Sequence, residues 1–196
     1  MTHYYSEKQT STSNEFTITA RHKKGEFVFL SDSGVFSKNR LDIASKLLIE
    51  TAIVKDKDKV LDIGCGIGVI GISLAKSNKI NLTLSDVNER ALLLTNKNLK
   101  NLKVKGKVIK SHLFENIKDK FDVIVSNPPM AAGRKLNFEL IEKSYEHLNS
   151  SGLLHLTARH NKGGKALSEK MMEVFGNVET LVKSAGFRVY MSKKVV

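Results

Sequence analysis

VLDIGCGIGVIG, residues 60–71, is the stretch that decides the fold. KVLDIG reads as a strand, and a helix is expected from about Val69 to Ser77. Between them, Gly64, Gly66 and Gly68 let the backbone turn tightly and approach a ligand closely. A strand, a glycine loop and a helix form the context of a nucleotide-binding turn. Two readings fit the glycines. Gly66, Gly68 and Gly71 satisfy G-x-G-x-x-G, and Asp86 ends the next strand where a ribose-binding acid belongs, as in a dinucleotide enzyme. The same residues also read as Asp62-x-Gly64-x-Gly66-x-Gly68.

Working outward, strands and helices alternate. INLTLSD is a strand and NERALLLTNKNLKN a helix; KGKVIKS and FDVIVSN are strands; LNFELIEKSYEHL is a helix, GLLHLTAR a strand, and a helix runs from about Gly163 to Phe175. NVETLVKS and FRVYMSK close the chain as two strands around Ala185-Gly186. Alternation implies a parallel, doubly wound sheet. The short last connection implies an antiparallel final pair. Upstream, EFTITAR and EFVFL flank a KKG turn and predict a hairpin from Glu15 to Leu30; LDIASKLLIETA (Leu41 to Ala52) has helical spacing. The expected architecture is α/β: a seven-stranded, doubly wound, Rossmann-like sheet of the class I S-adenosylmethionine (SAM) methyltransferase type, with an antiparallel last strand, preceded by a short N-terminal β-hairpin. The expected division is 1–40 for the hairpin and a substrate-side loop, and 41–196 for the methyltransferase domain.

Both prolines of the chain, Pro128 and Pro129, stand together after Asn127 at the end of FDVIV. They stop the strand and fix the backbone that follows. This Asn-Pro-Pro-Met corner resembles the N-P-P-x motif of methyltransferases that act on planar nitrogens. An exocyclic amine on a base is a poor nucleophile, because its lone pair is delocalised into the ring. The Asn127 oxygen and the Pro128 carbonyl can each accept one N–H of such an amine, holding it in line with a methyl donor and favouring the charge that grows on it. The loop with Asp62, Gly64, Gly66 and Gly68 resembles the first motif of SAM methyltransferases, which backs onto the methionine part of the ligand.

With these residues in hand, the chain resembles the guanine-N2 methyltransferases of small-subunit ribosomal RNA, nearest to their short bacterial and archaeal members. HYYSEK (His3 to Lys8), SDSGVFS (Ser31 to Ser37), LDIASKLLIE, LDIGCGIGVIG, SDVNERA, VSNPP, VFGNVET and GFRVYMSKK carry the resemblance over nearly the whole chain. It implies a SAM-dependent enzyme acting on 16S rRNA, with rRNA or the small subunit as partner. The cofactor residues it implies are Asp62, Gly64, Gly66, Gly68, Asp86, Val87, His112, Leu113 and Asn127. The chemistry falls to Asn127 and Pro128. Longer members carry an extra degenerate N-terminal domain, which is not expected here, so RNA capture is expected from the short N-terminal segment and the basic surface. Many relatives have an aromatic residue after the prolines; here it is Met130, so Phe36, Pro129 and Met130 are the candidates for contact with the base. His112 stands where many class I enzymes place an acid for the adenine amine, and is either a polar neighbour of the adenine or an incidental surface residue.

A net charge of +12 over 196 residues points to a polyanionic partner. KNLKNLKVKGKVIK, residues 97–110, holds six lysines and no acid; it is either an RNA footprint or a solvated helix end beside a lysine-guarded sheet edge. No apolar run reaches the roughly 20 residues of a membrane span. The N-terminus lacks a signal-peptide stretch, and Cys65, the single cysteine, suits packing better than nucleophilic attack. The expectation is a cytoplasmic protein without a metal site, since no His/Cys/Asp cluster has ligand spacing. His147 and His155 are expected on a helix surface and in a strand. Three other readings stay open: methylation of adenine N6 or a protein glutamine, a non-catalytic ribosome-assembly factor on the same scaffold, and a dehydrogenase.

Overall fold

The computed structural model describes residues 12–33, 35 and 41–195. HYYSEK and Phe36 lie outside the described residues. Strands β1 (Glu15–His22) and β2 (Gly25–Asp32) form the expected hairpin, two residues longer than foreseen at its end. Next come α1 (Ile43–Thr51), β3 (Lys59–Ile63), α2 (Val69–Ser77), β4 (Asn81–Asp86), α3 (Glu89–Asn101), β5 (Gly106–Lys110) and β6 (Phe121–Ser126). The chain continues through α4 (Arg134–His147), β7 (Leu148–Arg159), a wide turn (His160–Gly164), α5 (Lys165–Phe175), β8 (Glu179–Ser184) and β9 (Phe187–Lys193).

Seven strands make one sheet in the order β5-β4-β3-β6-β7-β9-β8. β3, β4, β5, β6 and β7 run parallel; β9 is antiparallel to both β7 and β8. The doubly wound plan with an antiparallel ending is therefore the one the alternation implied. The switch of direction falls between β3 and β6, and a crevice opens there beyond their C-terminal ends.

Local chemistry sets the ends of the elements. Asp42 caps α1, its carboxylate accepting from Ser45 N at 3.0 Å, and Asn88 caps α3, accepting from Ala91 N at 3.1 Å. β7 starts four residues before the expected Gly152. Asn149-Ser150-Ser151-Gly152 reads as a turn, but it forms a bulge in which the partner of β6 slips from Phe121↔Leu148 to Val123↔Leu153. Asp122 holds the bulge: its Oδ1 accepts from Asn149 Nδ2 at 2.7 Å and its Oδ2 from Lys59 N at 2.8 Å. α5 begins at Lys165 because Gly163, at φ +94°, bends the chain away from a helix.

The hairpin is built into the main core. Ile18, Ala20 and Phe29 are buried in one cluster with Leu48, Val60, Ile67 and Leu94. Asn98 of α3, fully buried, clamps it: its side chain donates to Leu30 O and Ile67 O, both at 3.0 Å, and accepts from Leu30 N at 2.7 Å. Arg90 adds a 3.1 Å ion pair to buried Asp32.

Candidate active site

The crevice at the switch point is a cavity of about 420 Å³, within the usual range of roughly 300–1,000 Å³ for small-molecule sites. One wall is the glycine loop. Gly64 N and Cys65 N donate to Ser85 O at 2.8 and 2.9 Å, which seats the loop on the end of β4. Gly66, at φ +55°, turns its N–H to Asp86 Oδ2 at 2.8 Å. Gly68, at φ +84°, starts α2, and a Cβ there would lie 2.8 Å from Ile72 Cδ1. Cys65 is buried, and burial pushes its thiol well above the usual range, which leaves it inert as a nucleophile.

Asp86 ends β4 with both oxygens engaged: Oδ2 by Gly66 N and Oδ1 by Asn88 N at 2.9 Å. Burial raises its pKa, against the opposing pull of these donors and Val87. Asp62 sits deeper. It is fully buried and does not line the cavity; Oδ2 accepts from Gly71 N at 2.8 Å, and Oδ1 has no hydrogen-bond partner among the described residues. Burial pushes its carboxyl up to about 7, with Asp86 adding to the rise. Gly68 likewise stays out of the lining, while Gly64, Gly66, Asp86, Val87, His112, Leu113, Asn127, Pro128 and Pro129 all reach it. His112 is half exposed at the rim, its Nδ1 3.4 Å from Glu115 Oε1.

The opposite wall is the Asn-Pro-Pro corner. Ser126 Oγ donates to Ile63 O at 2.7 Å and ties the end of β6 to that of β3. Asn127 Nδ2 donates to Asp42 Oδ1 at 3.2 Å and to Ser45 Oγ at 3.1 Å. Its amide nitrogen is therefore occupied on the α1 side, and no described residue donates to its oxygen. The corner closes by Ala132 N donating to Pro129 O at 2.9 Å, so the Pro128 carbonyl is not the one consumed by the turn. Met130 packs next to the corner, its Sδ 4.0 Å from Asn137 Nδ2.

Sequence reasoning missed Asp42 and Ser45. The signal was the Asp-x-x-Ser capping spacing at the start of LDIASKLLIETA, a stretch read only for its helical spacing and its family resemblance. The structure adds its second use, orienting Asn127. His147 is not a free surface group: Nε2 lies 3.1 Å from Ile117 O and the ring stacks on Phe114 at 4.3 Å. His155 is fully buried in β7, its Nε2 accepting from Ile53 N at 3.2 Å, and burial holds its pKa down at about 4. Among the described residues, no three His, Cys, Asp or Glu side chains cluster as metal ligands, and no helix is long and apolar enough to cross a membrane.

A glycine loop, an acid at the end of the next strand and an Asn-Pro-Pro corner surround one cavity, and residues 26–191 match the sequence model of the methyltransferase small domain. The chain belongs to that family. It is 40% identical to the uncharacterized protein YbxB of Bacillus subtilis, over 98% of each chain. It is also 40% identical to ribosomal RNA small subunit methyltransferase C of Cronobacter sakazakii, over 80% of this chain and 46% of that one. The chain thus spans about half the length of the methyltransferase C relatives it matches. In fold it is similar to the T. thermophilus 16S rRNA N2 guanine methyltransferase (RsmC) solved with AdoMet and guanosine, with a TM-score of 0.81 and 24% identity over 92% of this chain and 50% of that one. A methyltransferase from Pyrococcus furiosus also superposes, with a TM-score of 0.69. SAM is the cofactor of this family. The residues present fit it: the glycine loop gives close backbone access, Asp86 offers a carboxylate at the cavity wall, and the orphan oxygen of Asp62 stands behind the loop.

Proposed function

We propose that this protein transfers a methyl group from SAM to the exocyclic N2 of a guanine in 16S rRNA. The observation that carries the reading is the fixed amide of Asn127 at the cavity wall, with its nitrogen tied to Asp42 and Ser45 and its oxygen accepting from no described residue. SAM, when bound, supplies an electrophilic methyl group. Asp86 takes the ribose hydroxyls, with Val87, Leu113 and His112 around the adenine. Gly64 and Gly66, backed by Asp62 and by Gly68 at the start of α2, would lie under the methionine part. Asn127 Oδ1 and the Pro128 carbonyl accept the two amine hydrogens of the target. Neither takes the proton away; both favour the positive charge that grows on the nitrogen during transfer, and the methylated amine would then give one proton to water, with S-adenosylhomocysteine as the leaving group. Pro129 and Met130 flank the base, and Phe36 is the further candidate for stacking on it. Residues 1–40 supply the N-terminal hairpin and a substrate-side loop to the methyltransferase domain formed by 41–196.

The relatives named for rRNA methylation and the net charge of +12 support RNA as the substrate. Single-turnover transfer to 16S rRNA with saturating SAM, run beside a SAM binding curve, tests the site. Asn127→Ala should slow transfer by about 10²–10³ while SAM affinity stays within a few-fold. Near wild-type transfer refutes the role of Asn127; loss of SAM binding places it in the cofactor site instead. Mapping N2-methylguanine in rRNA from cells with and without the protein tests the target. An unchanged map, with loss of an N6-methyladenine or a methylated glutamine, replaces it.

A further inference from the structure

We infer that the groove between the His160–Gly164 turn and the β8–β9 hairpin tip docks the single-stranded RNA that flanks the target base. This inference rests on the RNA reading above and adds where the strand lies.

The groove has a volume of about 290 Å³ and is lined by His160, Asn161, Lys183, Ser184, Phe187 and Arg188, among others. It is a built feature. His160 N donates to Gly186 O at 3.0 Å, which ties the turn to the hairpin tip, and His160 Nδ1 lies 2.8 Å from Tyr190 Oη. Its position follows from the topology. β6 and β7 are parallel, so they end on the same edge of the sheet. Asn127 follows the end of β6, and the turn follows the end of β7. The two meet at Met130: a Cβ on Gly163 would lie 2.5 Å from Met130 Cε. The groove therefore starts beside the Asn-Pro-Pro corner and leads away from it.

Its charge is unbalanced. Lys183 and Arg188 are direct cross-strand partners, an arrangement that like charges disfavour. Arg159, Lys162, Lys183 and Arg188 have no ion pair among the described residues, and Lys165 has only a 3.8 Å contact to Glu169. Desolvation and then Arg188, Lys165 and Lys183 lower the pKa of His160; Glu169 is the acid acting in the other direction. A cluster of cations with Glu169 as the one acid named beside it fits a phosphodiester backbone. The Arg159 guanidinium lies 4.8 Å from the Phe187 ring centroid, and its outer face offers a plane on which a base can stack. The lysine segment 97–110 differs on both counts. Its strand, β5, is at the far edge of the sheet, and Lys97, Lys107 and Lys110 pair with Glu15, Asp119 and Glu89.

The test uses the full chain and a labelled single-stranded RNA of about 12 nucleotides, a length on the scale of single-strand binding sites, with affinity followed against salt. The groove variant is Lys162→Gln/Lys183→Gln/Arg188→Gln. The control, Lys100→Gln/Lys103→Gln/Lys105→Gln, removes the same charge from the other edge. Each lost phosphate contact lowers the log–log salt slope by about 0.7. The groove variant should therefore lose about 2 from the slope and raise KM for RNA, with SAM affinity unchanged; the control should keep the wild-type slope. Lys183→Gln alone should lose about 0.7, which keeps the test available if the triple variant folds poorly. A wild-type protein that binds no RNA overturns the RNA reading and this inference together. Binding that weakens in the control but not in the groove variant overturns the groove alone. A poly-glutamate chain binding with the same groove dependence as RNA would make the surface an acidic-protein dock and also overturn it.

Discussion

Asp62 and His155 act on stability in opposite directions over the same range of pH, and Asp62→Asn should separate them. The two lie in register across three strands, with Asp62 beside Val125 and Val125 beside His155. Burial raises Asp62 from 3.8 to about 7, so the folded protein holds its proton more tightly than the unfolded chain does. Its contribution is whole below about 3.8 and is lost as pH rises through about 7. Burial lowers His155 from 6.5 to about 4, with Lys24 adding to the fall. Its contribution is whole above about 6.5 and is lost as pH falls through about 4. At 1.36 kcal/mol per pKa unit, the full spans are on the order of 4 kcal/mol for Asp62 and on the order of 3 kcal/mol for His155. Between about pH 4 and 6.5 the two slopes nearly cancel in the wild type. Asn keeps an acceptor for Gly71 N, and its amide nitrogen at the orphan position adds a cost that does not change with pH. Urea denaturation of both proteins at about pH 4.5 and about pH 6.5 reads the difference. The variant should gain on the order of 3 kcal/mol relative to wild type as pH rises between those points. A difference that stays constant with pH would show that Asp62 titrates as an ordinary carboxylate, and the reasoning from burial fails.

Asp86→Ala should weaken SAM binding about tenfold to a hundredfold in calorimetry, the effect of losing a charge-assisted contact of roughly 1.5–3 kcal/mol; unchanged affinity would remove Asp86 from the cofactor site. Asp42→Ala should cost about 1 kcal/mol of stability as a lost helix cap. It should also slow single-turnover transfer about tenfold with SAM affinity retained, because the Asn127 amide is no longer held, and Asp42→Asn, which keeps both acceptor roles, should recover most of the rate. Equal rates in Asp42→Ala and wild type would leave the residue as a cap alone. Asn98→Ala removes three buried hydrogen bonds and should destabilise by about 3 kcal/mol or more in chemical denaturation; a loss near zero would mean that water replaces the amide.

The sheet was legible because periodicity and punctuation agreed. KVLDIG, FDVIV and the short tip Ala185-Gly186 each carried one signal, and each element formed within a few residues of its expected bounds. The start of β7 was not legible, because Asn-Ser-Ser-Gly has turn chemistry and only the tertiary partner Asp122 makes it a bulge. In the site, Gly64, Gly66, Asp86 and Asn127 were marked by residue type at a strand end, and the structure brings them to one cavity. Asp42 and Ser45 are distant from Asn127 in sequence, and nothing in a local pattern joins a helix cap to an amide on another strand. The groove cations were hidden for the same reason. They are scattered through the chain from Arg159 to Arg188, while the lysine run 97–110 is dense in sequence and partly neutralised in space.

The Asn98 clamp makes the hairpin and the glycine loop one cooperative unit. One side chain holds both the β2 backbone and the carbonyl of Ile67, one residue past Gly66. A local opening that peels β2 away breaks two of the three bonds that hold this amide and loosens its grip on Ile67 O. Slow amide exchange in the hairpin should therefore share its opening free energy with the loop rather than with a fraying terminus. A ligand that orders the loop therefore also steadies the hairpin, although none of the hairpin lines the cavity.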